Sequence, residues 1–136
     1  MISAVSARGQ LRFMVVKGNL NGARYAEFLR RLMHNAPRPV FLILGGHPVH
    51  KSRAVKTYVA STNERLRLFY LPPYCPELNP DEQVWNPVNN HGVSRALLEG
   101  AEHLRSFVVS RLRRLQKSPW TIRMFFLTPH TQYAVV

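Results

Sequence analysis

Apolar residues follow different spacings along the 136-residue chain, and each spacing predicts a different element. Met1 to Ala7 and Leu11 to Lys17 mix apolar and polar positions in short alternating runs, as half-buried strands do. They join at Arg8-Gly9-Gln10, where Gly9 can take the positive φ of a hairpin turn, so an antiparallel pair is expected. Beyond Gly18-Asn19, the residues Tyr25, Phe28, Leu29, Leu32 and Met33 recur at helical spacing, with Arg24, Arg30 and Arg31 off that stripe. Asn21 stands where an N-cap belongs, and an amphipathic helix follows. Pro37 and Pro39 close it and open Val40 to Leu44, a continuous VFLIL run expected of a strand buried on both faces at a sheet centre.

Gly45-Gly46 ends that strand. A short helix around Ser52 to Ala60 and a strand over Leu66 to Leu71 come next, the latter running into Pro72-Pro73. In the last third, Leu104, Phe107, Val108, Leu112 and Leu115 share one helical face, while Arg105, Arg111, Arg113, Arg114 and Lys117 lie largely elsewhere. The tail from Pro119 to Val136 carries Trp120, Phe125 and Phe126, too apolar for a free linker, so it is expected to dock or to pair with another chain. The order strand, strand, helix, strand, helix, strand, helix places the chain in the α/β class, and its length suits a single domain over residues 1–136.

Charge narrows the partner. Nineteen Lys and Arg against seven Asp and Glu give +12, and fifteen of the nineteen are Arg, whose planar fork suits phosphate. DNA or another polyanion fits better than a membrane, because no apolar run approaches the ~20 residues a span requires. Cys75 is the sole cysteine, so no internal disulfide forms, and the reducing cytoplasm is the expected compartment. The stretch MISAVSARGQ lacks the charged start and apolar core of a secretory signal.

The chemistry concentrates between Leu71 and Trp85, LPPYCPELNPDEQVW, which delivers Asp81 and Glu82 to the first turn of a helix. Phosphodiester hydrolysis and transfer commonly use two metal ions ~3.5–4 Å apart held by convergent carboxylates. Magnesium in particular asks for oxygen ligands in octahedral array. The chain offers one Asp and six Glu in all. A structural role is equally open to Glu82: with Asn79 as N-cap and Pro80 at the first helical position, it stands where a capping box would bond the Asn79 backbone N–H. His47, His50 and Lys51, in GGHPVHKS, are placed to contact phosphate or to form a turn capping the next helix; a zinc site would lack further ligands beside them. Val84 and Trp85 are expected in the core, and Tyr74 with Pro72-Pro73 is expected to shape the loop rather than touch a base.

PPYxPELNPxExxW resembles the loop bearing the last acid of DDE superfamily transposases and endonucleases, in the insertion-sequence and mariner-like branch. The likeness also takes in Ile2 to Val5, RFMVV, YAEFL, GHPVHKS and RLRRLQ at Arg111 to Gln116, nearly the whole chain. It implies an RNase H-like mixed sheet flanked by helices, a Mg2+ or Mn2+ cofactor, DNA as substrate, and strand cleavage and transfer in DNA transposition and recombination. Glu82 then stands as the third acid, with Asp81 beside it as a further metal donor. The second acid falls at Gly45, separated from Glu82 by thirty-six intervening residues, where there is no side chain to ligate. The first acid is expected on a strand before Met1, which makes the chain the C-terminal part of a catalytic domain without its first, central strand. Glu27, Glu64, Glu99 and Glu102 have no evident reason to converge on Glu82, which leaves Asp81 and Glu77 as its near neighbours. Pro87 and the lack of a Lys near Asn89 depart further from the family pattern. A chain so placed is expected not to cut DNA alone. It would act as a noncatalytic DNA-binding or transposase-interacting remnant, or rely on an upstream fragment or another transposase subunit. DNA contacts are expected from His47, His50, Lys51, Arg105, Arg111, Arg113, Arg114 and Lys117.

Overall fold

The computed structural model describes residues 1–85 and 100–135. Its elements are β1 (Ile2–Val5), β2 (Leu11–Met14), α1 (Gly22–Met33), β3 (Val40–Leu44), α2 (Arg53–Ser61), β4 (Leu66–Tyr70), a helical turn at residues 82–85, α3 (Ala101–Gln116) and α4 (Pro119–Met124). The mixed α/β class and the element order match the expectation and are compatible with an RNase H-like domain. Pro87, Asn89 and Glu99 lie outside the described residues. Where one mixed sheet was expected, the described strands form two pairs, β1 with β2 and β3 with β4. The chain divides into two compact units, Met1–Ile2 with Phe13–Asn79, and Ser3–Arg12 with Pro80–Val136.

In the first unit, α1 begins where Asn21 Oδ1 accepts the Arg24 backbone N–H at 2.9 Å, satisfying one donor left open at a helix start. Its apolar stripe buries Tyr25, Ala26, Phe28 and Leu29. The opposite face carries Glu27 between Arg30 and Arg31 at 3.4 and 3.3 Å, exposed pairs that contribute only about 0.3–0.5 kcal/mol each. α1 packs on α2, and bare Gly22 permits the approach: a Cβ there would sit 2.8 Å from Ser52 Cβ. Ser52 in turn caps α2 through Val55 N–H. β3 and β4 pair in parallel, Val40 opposite Leu66 through Leu44 opposite Tyr70, with α2 in the crossover that parallel strands require.

The expectation that VFLIL is buried on both faces does not hold. Leu44 is buried, but Phe41 is 63% exposed and meets Phe69, 45% exposed, edge to face at 6.0 Å. Side chains alternate across a strand, and the in-register pairing puts Phe41, Ile43, Arg67 and Phe69 on one face. The apolar run records that both faces are hydrophobic, whereas burial depends on what covers them.

In the second unit, the hairpin turns as expected. Gly9 has φ +91°, its N–H donates to Ser6 O at 3.0 Å, and the Ser6 N–H donates to Gln10 O at 3.0 Å. Gly9 also lies against Pro119, where an added Cβ would come within 2.6 Å of the proline carbonyl oxygen. Two long side chains strengthen this packing: Arg123 Nε donates to Arg8 O at 3.1 Å and Gln116 Nε2 to Leu11 O at 2.9 Å. α3 buries Val108 and Leu112, α4 buries Ile122, and Phe126 follows them into the interior, so the apolar tail docks. Trp120 and Met124 face outward.

Candidate functional site

The prolyl loop tightens into a short 3-10 turn at Pro76–Leu78, closed by Asn79 N–H donating to Pro76 O at 3.0 Å. Next, Gln83 N–H donates to Pro80 O at 3.1 Å and Val84 N–H to Asp81 O at 3.0 Å, so regular helix begins at residue 82 rather than at Pro80. The capping box expected of Glu82 is corrected on this point. The Asn79 N–H assigned to its carboxylate bonds the Pro76 carbonyl, because the preceding turn claims it first.

Asp81 looks inward. The Ser3 hydroxyl donates to its two carboxylate oxygens at 2.8 and 2.9 Å, and the Trp85 indole N–H donates to the same Ser3 oxygen at 2.9 Å. Val84 beside it is fully buried. Loss of hydration pushes the Asp81 carboxyl up to about 6. The Ser3 hydrogen bond pulls it back, the neighbouring Glu82 charge raises it, and a hydrogen bond from Trp85 lowers it. Glu82 points to solvent.

These groups fit a divalent metal poorly. A magnesium or manganese ion needs several converging oxygens, whereas Asp81 is part-buried with the Ser3 hydroxyl already against both its oxygens. Gly45 supplies no donor, although its position is roomy: an added Cβ would find Asn79 Nδ2 at 3.9 Å as its nearest neighbour. Among the described residues no three His, Cys, Asp or Glu side chains gather in a group able to hold a metal. Glu27 is engaged with Arg30 and Arg31, and Glu64, Glu77 and Glu102 are exposed.

The carboxyl ends of β3 and β4 form a different setting. His47 Nδ1 accepts the Val49 N–H at 3.1 Å, capping the 3-10 turn Pro48–Lys51. His50 is half-buried against Tyr25, ring centroids 4.7 Å apart, with Nδ1 2.8 Å from Gly45 O. Burial lowers its pKa, the Gly45 carbonyl opposes this, and His47 adds to the lowering, so near pH 7 the ring is neutral and Nδ1–H is the donor. Lys51 is exposed, its Nζ 5.0 Å from the centre of the Tyr70 ring, and Tyr70 donates its hydroxyl to His50 O at 3.1 Å. Structure thus brings His47, His50 and Lys51 together, with only His47 and Lys51 open to solvent.

On α3, Arg113, Arg114 and Lys117 are exposed, while Arg105 is half-buried and Arg111 lies over the Phe107 ring at 5.2 Å. Sequence reasoning missed Ser3, Tyr70 and Tyr74. Tyr74, expected with Pro72-Pro73 to shape the loop rather than touch a base, is 99% exposed at φ +59°. A tyrosine between prolines on a strand exit was the available signal. For Ser3, it was a hydroxyl within an otherwise apolar strand.

Comparison with known proteins bears on both settings. A family model described as DDE superfamily endonuclease matches residues 1–105. An uncharacterized protein, y4pE/y4sA, of Sinorhizobium fredii (strain NBRC 101917 / NGR234) is 29% identical over 59 residues, covering 43% of this chain and 44% of that protein. The chain therefore spans less than half the length of this curated relative. No solved structure matches.

Proposed function

The chain belongs to the DDE superfamily of endonucleases, and from that premise we propose that it is a transposase-type DNA-binding domain that leaves DNA strands uncut by itself. It is placed in the insertion-sequence and mariner-like branch, as the region of a single RNase H-like catalytic domain that carries the second- and third-acid positions, Gly45 and Glu82. The observation that carries the reading is that Asp81 is part-buried and turned onto the Ser3 hydroxyl, whose one proton lies against both its oxygens. It leaves exposed Glu82 as the one acid of the turn available to a magnesium or manganese ion. A single carboxylate cannot fix the two ions that phosphodiester transfer uses.

DNA affinity comes from phosphate contacts by Lys51 and by Arg113, Arg114 and Lys117 on α3, aided by the net charge of +12. Such a domain works in transposition only with acids from elsewhere, such as an upstream fragment or another transposase subunit. The test is nicking of supercoiled plasmid with magnesium or manganese. Equal, background-level nicking by the wild type and Glu82→Ala supports the reading, whereas metal-dependent nicking that Glu82→Ala abolishes overturns it.

A further inference from the structure

Parallel pairing of β3 and β4 sends the segments after Leu44 and after Tyr70 out of the same end of the sheet, the end at which α/β sheets usually take ligands. One exit carries His47 and Lys51, the other Tyr70 and Tyr74. Tyr70 is 42% exposed and fixed from two sides, its hydroxyl bonded to the His50 carbonyl and its ring lying beneath the Lys51 ammonium. Tyr74 lies beyond Pro72 and Pro73, whose rings lock their φ and stiffen the approach. Its own φ of +59° is one that L side chains seldom adopt, and its side chain is 99% exposed. An aromatic ring held out by a restrained backbone, at the same sheet end as a lysine paired with a second exposed ring, offers the two requirements of a stacking site for unpaired nucleic acid: an accessible π-face and a cation for the backbone.

We propose that Tyr74, with Tyr70 and Lys51, forms a site for an unpaired DNA base, Tyr74 stacking on the base and Lys51 neutralising an adjoining phosphate. This inference rests on the DNA-binding reading above and deepens it by naming single-stranded DNA as the ligand of the sheet's carboxyl end. Duplex DNA offers no exposed base face along its length, so the site distinguishes frayed or nicked ends from intact duplex.

The experiment compares a short single-stranded oligonucleotide carrying 2-aminopurine with the blunt duplex of the same sequence, read by fluorescence anisotropy and by 2-aminopurine quenching. The wild type is expected to quench the probe in the single strand. Tyr74→Ala is expected to lose the quenching and about tenfold in single-strand affinity, with duplex affinity changed less than about twofold, and Tyr74→Phe to behave as wild type. Full exposure of the ring means that its removal costs no buried packing. Unchanged single-strand binding by Tyr74→Ala, or equal losses on both DNAs, overturns the inference while leaving the DNA-binding reading in place. Failure of the wild type to bind either DNA overturns both.

Discussion

The acid turn and the carboxyl end of the β3–β4 sheet use polar side chains in opposite ways. At the acid turn, Asp81 is turned inward, bonded by Ser3 and flanked by Trp85, so its carboxyl group is part of the packing. At the sheet end, Lys51 and Tyr74 are turned outward, Tyr74 follows two prolines, and Tyr70 is held by the His50 carbonyl. The difference teaches that two polar settings in one chain can face opposite ways, one toward the interior and one toward solvent. The NPDE segment builds a turn and a helix start, with Asp81 turned to the fold and Glu82 left at the surface, whereas the loop leading into it presents groups with no evident structural duty.

The largest expected effect breaks the packing around the acid turn's own unit. Gly9→Ala places a Cβ at φ +91° and within 2.6 Å of the Pro119 carbonyl oxygen, so it is expected to lose about 2–4 kcal/mol in chemical denaturation. A loss below about 0.5 kcal/mol shows that this unit yields more readily than its close contacts imply.

Asp81→Asn sharpens the comparison with a pH dependence. The folded carboxyl sits at about 6, against 3.8 ordinarily, so between about pH 4 and 6 the native state holds a proton that the unfolded chain releases. Wild-type stability therefore falls as pH rises through that window and levels off above it. The Asn variant, which has no charge to bury and still offers Ser3 an acceptor, is expected to be more stable near pH 8 by on the order of 1–3 kcal/mol. The gap should close below about pH 4. Parallel stability curves for the two proteins would mean that Asp81 is hydrated in solution.

The smallest effect concerns α3. Neutralising exposed Arg114 or Lys117 is expected to weaken DNA binding a few-fold and to lower the slope of log affinity against log salt by about one each, measured by anisotropy across salt concentrations. Arg111, drawn over the Phe107 ring, should lower it less. Equal effects at all three positions would erase the distinction between exposed and packed cations.

What the sequence revealed in advance was local. The Tyr25, Phe28 and Leu29 stripe, the Asn21 cap, the Gly9 turn and the β4 strand all follow from spacings within a few residues, and the structure has them. The exposure of Phe41 was hidden because a hydrophobic run does not say what covers it. The Ser3–Asp81 bond joins residues 78 apart, and no periodicity links them. The full exposure of Tyr74 was not legible, because its positive φ is a property of the assembled turn. The glycine at position 45 was plain from the start, and the structure leaves room for a larger side chain there.

The central claim, that the acid turn serves the fold and not a metal, is tested most directly by thermal unfolding of the wild type, Asp81→Asn and Glu82→Gln near pH 8, with and without excess manganese chloride. A ion bound only by the native state must raise the midpoint by mass action. The account predicts no rise in any of the three proteins and an Asp81→Asn midpoint at or above that of the wild type. A manganese-dependent rise in the wild type that disappears in both variants would contradict it.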